Sequence, residues 1–108
     1  MAVTYTPKAV DGQLPNATGI LYTVPAASYA IIKSIRMVNT DVGAQTFNLY
    51  QRTGGTLRRL VPVDTALQSG WAAYLEAENI TLEDGDTIEG DASLANVIDY
   101  SIGMAEGS

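Results

Sequence analysis

Tyr29-Ala30-Ile31-Ile32-Lys33-Ser34-Ile35-Arg36-Met37-Val38-Asn39-Thr40 is the longest candidate strand in the chain. Alternation places Ile31, Ile35 and Met37 on one face and Ile32 and Val38 on the other. Both faces are therefore partly apolar, as in a central strand or one with a surface covered by a partner. Lys33 and Arg36 fall on opposite faces, which points to a β-bulge. Downstream, Thr46 to Arg52 alternates more cleanly, with Phe47 and Leu49 inward and Asn48 and Tyr50 outward. Gly54-Gly55 makes a hairpin turn, because adjacent glycines accept the positive φ of tight connections. Leu57 to Val63 returns as the partner strand, and Pro62 sets its end at a sheet edge. Upstream, Thr18 to Val24 is a strand that Pro25 ends.

The same signals recur toward the C-terminus. Asp84-Gly85-Asp86 is a turn and Thr87 to Ala92 a short strand. Val97 to Met104 is a clean strand with Ile98, Tyr100, Ile102 and Met104 inward. Trp71 to Glu78 stays open: Trp71, Ala73 and Leu75 alternate as a strand would, while Trp71, Tyr74, Leu75 and Glu78 fit helical spacing after a Ser69 cap. A phase change sets a break near Glu78-Asn79 in either case. The expectation is an all-β, single-domain β-sandwich, jelly-roll-like, of about seven to nine strands over residues 17–108. Phe47, Leu49, Ile98, Tyr100 and Ile102 form its core. Residues 1–16, with Pro7, Gly12 and Pro15, read as an extended N-terminal arm. Its Val3, Tyr5, Val10 and Leu14 are apolar anchors for a neighbouring subunit.

Composition narrows the function. The 108 residues, 46% of them hydrophobic, have room for one packed domain and no second. Six bases against twelve acids give a net charge of −6, which argues against nucleic acid and against an anionic membrane surface as partners. No run approaches the roughly 18 to 20 apolar residues of a membrane span. Met1 to Pro7 lacks the charged start and apolar run of a secretory signal. The chain has neither Cys nor His, so thiolate nucleophile, Cys zinc site and the usual proton shuttle are all missing. The reading is a protein that works by contact: not an enzyme, with no cofactor and no metal.

Two charge features carry alternatives. Residues 1–75 hold all six bases and three acids, whereas residues 76–108 hold nine acids and no base. That asymmetry either steers assembly as a bipolar surface or vanishes when strands intermix the two segments. The acidic stretch Glu83-Asp84-Gly85-Asp86, with Glu89 and Asp91, has the oxygens a calcium ion needs but not the EF-hand spacing. Tight turns also select Asp and Gly for backbone reasons, and the turn reading is preferred.

Leu21-Tyr22-Thr23-Val24-Pro25-Ala26, Ala30 to Arg36 and Asn39-Thr40 together resemble the opening of small β-sandwich virion proteins of tailed bacteriophages. Leu82 to Gly90 and Ala95-Asn96-Val97-Ile98-Asp99-Tyr100 resemble the turn and closing strands of the same proteins. Ala27-Ser28 departs from their usual glycine and charged pair. The resemblance implies a virion component made in the host bacterial cytoplasm: a head decoration or cement protein bound to the major capsid protein, or a tail, neck or baseplate part. It implies a homo-oligomer, with a trimer among the options. Arg52, Arg58 and Arg59, on two strands joined by the glycine hairpin, are the candidate electrostatic interface, with Val3 and Tyr5 from the arm. The same arginines also serve to protect a sheet edge from wrong pairing. A carbohydrate-binding module using Trp71, Tyr50 and Tyr74 as stacking platforms is the remaining alternative, against which Trp71 reads as a core aromatic.

Overall fold

The structure, a computed structural model, describes residues 5–75 and 80–107. Its organising strand is β3 (Tyr29–Asn39), which pairs with β10 (Ile98–Gly107) on one side and with β7 (Ala72–Leu75) and β8 (Ile80–Glu83) on the other. Ile32 and Ile35 are both wholly buried, although an unbroken strand would turn residues three apart to opposite faces. The register with β10 slips between Gly103 and Met104, so that Gly103 faces Ser34 and Met104 faces Ile32. Lys33 is the extra residue of the expected bulge. It lets Ala30 and Ile32 share the core face with Ile35, Met37 and Asn39.

β1 (Tyr5–Gln13) pairs along its whole length with the other side of β10 and completes the first sheet. The second sheet has the order β2 (Gly19–Thr23), β9 (Thr87–Ala92), β4 (Gln45–Thr53), β5 (Thr56–Arg59), with β6 (Thr65–Leu67) also on β4. All pairings are antiparallel. No helix occurs among the described residues. The two sheets face each other over Phe47, Leu49, Ile88, Ile98, Ile102 and, from β3, Ile32 and Ile35, all fully buried, while Ile31 lies on the other face of β3 and is only partly buried. Strand order and packing make an all-β sandwich of jelly-roll-like topology.

Several expectations need correction. There are ten strands among the described residues rather than seven to nine. Of the expected N-terminal arm of residues 1–16, the described part belongs to the sandwich: residues 5–13 are β1, and Leu14 is wholly buried. Pro7 is tolerated because β1 is an edge strand, where one side needs no donors, and Gly12 leaves room for the Tyr100 ring, whose hydroxyl oxygen would lie 3.0 Å from a Cβ there. Leu57 to Val63 is strand only to Arg59, after which residues 65–67 return to β4. Ala72 to Leu75 is strand, while the break near Glu78-Asn79 lies outside the described residues. Tyr100 is only partly buried, at the margin of the core beneath Gly12.

A left-handed turn and a close backbone approach explain two glycine sites. Gly54 and Gly55 adopt φ of 57° and 83° in the β4–β5 turn. At Gly90 a Cβ would lie 2.9 Å from the Asn48 carbonyl oxygen, so only glycine lets β4 and β9 meet there. Ala27, in the turn that departs from the phage-like pattern, sits at φ 60°. Its N–H donates to Asp84 Oδ2 at 2.9 Å.

Two stability measurements check this packing. Phe47, 1% exposed, should cost about 3 to 5 kcal/mol on truncation to Ala in chemical denaturation. Ala27→Gly should instead raise stability by about 0.5 to 1 kcal/mol, because it relieves a left-handed alanine while keeping the N–H that Asp84 accepts.

Candidate functional site

The arginine hairpin is built on cross-strand pairs. Tyr50 faces Arg59 and Arg52 faces Leu57, which places Arg52 and Arg59 on the outer face of the second sheet. Arg58 pairs with Gln51 and belongs to the opposite face. Arg52 Nε donates to Glu89 Oε2 at 2.8 Å, and its Nη1 reaches the Gly55 carbonyl at 3.2 Å. Thr87 Oγ1 donates to the same Glu89 oxygen at 2.7 Å. The Arg59 guanidinium stacks 5.0 Å above the Tyr50 ring and donates to Asn48 Oδ1 at 2.8 Å. Asn48 in turn donates to Asp64 and Asp91. Tyr50 is consequently buried although it lies on an outer face. Two of the three arginines are thus engaged within the chain, and Arg58 is exposed.

These contacts also settle how the uneven charge is arranged. β4 lies beside β9 and β1 beside β10, so bases of the first segment meet acids of the second. Arg52 pairs with Glu89, and Lys8 Nζ lies 3.2 Å from Glu106 Oε2. Glu106 also accepts the Tyr22 hydroxyl, whose pKa is raised chiefly by burial and further by that hydrogen bond. The acidic turn has a structural task. Asp86 accepts the N–H groups of Gly54 and Glu83, and Asp84 that of Ala27, so two carboxylates tie three loops at one end of the sandwich. Among the described residues no group of three or more acidic side chains is arranged to hold a metal ion.

At the opposite end Asn39 has the corresponding role. Wholly buried, it donates to the carbonyls of Leu67 (2.9 Å) and Gly43 (3.0 Å) and accepts the Asp41 N–H. Ser69 bonds the Asp41 carbonyl, Gln45 bonds the Asp41 carboxylate, and Ser93 bonds Gln45. This connected network fixes three loops whose tips are apolar and in water: Val42 at 97% exposure, Trp71 at 65% and Leu94 at 46%. Trp71 is therefore not a core aromatic. Its position directly after Gly70, whose φ of 73° marks a turn, was the available signal. Tyr74 is exposed on the outer face of the first sheet, beside Arg36. Tyr5 is half exposed and lies over Gly107, and Val3 lies outside the described residues. The structure does not bring Tyr5 together with the arginine hairpin, because they belong to opposite flanks of the sandwich.

Comparison with solved structures recovers the same fold in two kinds of assembly. A chain from Bacillus endospore appendages, described as disulfide-linked pili, superposes with TM-score 0.55 at 17% identity over 97% of this chain and 86% of that one. A chain of the T13 viral particle of infectious bursal disease virus gives TM-score 0.56 at 10% identity, covering 95% of this chain and 31% of that one. The VP2 subviral particle of the same virus gives 0.50 at 15% identity, covering 98% and 31%. The chain spans about a third of the viral proteins and most of the appendage protein. At these identities the likeness is one of fold. No protein-family model matches the chain, and no curated protein matches it in sequence.

Glu89 supplies a pH test. Hydrogen bonds from Arg52, then from Thr87, hold its carboxyl below the ordinary range. A depressed folded-state pKa contributes stability that is present above the unfolded value of about 4.3 and is lost as pH falls through the lower folded value. Glu89→Gln should therefore flatten the acid side of a stability profile below about pH 4.3. An unchanged acid limb would show that other carboxylates carry it.

Proposed function

We propose that this chain is a structural virion protein of a tailed bacteriophage, a capsid decoration or cement protein that binds the major capsid protein and stabilises the head shell. The observation that carries the reading is the end surface bearing Val42, Trp71 and Leu94. Exposed apolar tips on loops held rigid by a satisfied polar network lose little conformational freedom on docking, so their burial is turned efficiently into affinity. The fold supports the reading because it is shared with chains of a viral particle and an appendage. So do the phage-like segments around Leu21 to Ala26 and Leu82 to Gly90. With no cysteine, these 108 residues form no disulfide between subunits, unlike the disulfide-linked appendage. Binding to the assembled shell but not to free subunits stabilises the shell by mass action.

The alternative within the same class is a tail, neck or baseplate part. The carbohydrate-binding reading gains from the exposure of Trp71 and Tyr74, and loses Tyr50, which Arg59 covers.

Imaging of particles from cells encoding the chain tests the assignment: density on the head surface is expected, and density on the tail or baseplate would replace it with the alternative. Particles lacking the chain should form and lose their contents at lower temperature. Val42→Ser combined with Trp71→Ser should cut occupancy on particles about tenfold or more while leaving the melting midpoint of the free domain nearly unchanged. Glycan binding abolished by Trp71→Ala would favour the carbohydrate reading instead.

A further inference from the structure

Among the described residues the longest unpaired sheet edge belongs to β1. Its nine residues pair with β10 on one side only, whereas the other edge strands are interrupted or short: β5 and β6 have four and three residues, β7 and β8 four each, and β2 is broken by a register shift at Leu21. Which backbone groups of β1 are free follows from its last contact. The Leu14 N–H donates to the Ile98 carbonyl at 2.9 Å. Because residues of an antiparallel strand alternate in the side to which both N–H and C=O point, Gly12, Val10, Lys8 and Thr6 also aim at β10. Tyr5, Pro7, Ala9, Asp11 and Gln13 aim away. Pro7, lacking an N–H, occupies an outward position, where it costs the β1–β10 ladder nothing.

This edge lacks most of the devices that keep edges apart. Lys8, the one basic side chain of β1, is drawn away from the free edge to Glu106 on β10 and to the Tyr22 ring of the second sheet. No bulge interrupts the nine residues. We propose that β1 pairs antiparallel with β1 of a second copy across a twofold axis at Ala9, joining two five-stranded sheets into one continuous sheet.

The register follows from what the alternatives oppose. A twofold at Pro7 would lose both hydrogen bonds of its central pair. Twofolds at Lys8 or Asp11 would set like charges directly opposite. One at Val10 would pair only residues 7–13. Centred on Ala9, all nine residues pair, Tyr5 meets Gln13, and Pro7 meets Asp11, whose N–H can still donate to the Pro7 carbonyl. Small alanines face each other on the axis. This inference rests on the reading of the chain as an assembling structural subunit. Its test uses the free chain without particles, so failure of the β1 contact and failure of particle binding are observed separately.

The chain has no native cysteine, which makes single-cysteine cross-linking clean. Ala9 sits beside its own copy on the axis, within disulfide reach, whereas Asp11 does not. Under mild oxidation Ala9→Cys should form covalent dimers at least about tenfold faster than Asp11→Cys. Light scattering on the unmodified chain should give a dimer. Ala9→Pro removes an N–H that the β1–β10 ladder does not use, and should give a monomer with an unchanged circular dichroism spectrum. A chain that is monomeric up to about 100 µM, or equal cross-linking rates at residues 9 and 11, would overturn the proposal. If Ala9→Pro lowers the folded content, the cross-linking comparison decides alone.

Discussion

The sandwich depends on one extra residue in its central strand. β3 carries apolar side chains at positions that no unbroken strand could bring to one face, and the bulge at Lys33 reconciles them. Upstream of it Ala30 and Ile32 fill the core; downstream Ile35 and Met37 do. Both halves of β3 must also pair with β10, which takes up the slip between Gly103 and Met104. Regular pairing through this point would turn half of the strand's apolar residues into water and leave the facing sheet without its partner layer. The charged ammonium of Lys33 reaches solvent because the bulged residue leaves the alternation.

Each end of the sandwich is closed by polar groups whose hydrogen-bonding capacity is used. Asn39 joins the loops near Val42 and Trp71, and Asp84 with Asp86 joins the turns at residues 27, 54 and 83. No buried side-chain polar atom among the described residues lacks a partner. A buried amide or carboxylate without partners would be a liability; fully satisfied, it specifies one loop arrangement. That arrangement is what lets apolar tips remain in water without collapsing onto the domain.

How much could be read from the residues varied with the local pattern. Thr46 to Arg52 and Val97 to Met104 alternate because only one face of each strand meets the apolar core, so their strands and most of their core residues were legible. The bulge was legible from the conflicting phases of Lys33 and Arg36. β1 was not, because Pro7 and Gly12 look like breakers and an edge strand buries too little to impose a pattern. Trp71 misled through its size: bulk suggests a core, and only the turn that carries it decides otherwise. The arginines were found by type, but their engagement with Glu89, Asn48 and Tyr50 depends on β4 lying between β5 and β9, and no local spacing encodes that neighbourhood.

β10, the last strand in chain order, lies between β1 and β3 and holds contacts that span nearly the whole sequence, such as Lys8 to Glu106 at a separation of 98 residues. The first sheet therefore cannot close while the ribosome still holds residues 98–107, and β1 and β3 wait with unpaired edges until then. Folding of such a topology is dominated by late, non-local closure. Synthesis, and not only the finished interface, thus sets when this protein becomes available to assemble, and chaperone protection of those waiting edges belongs to the same interval.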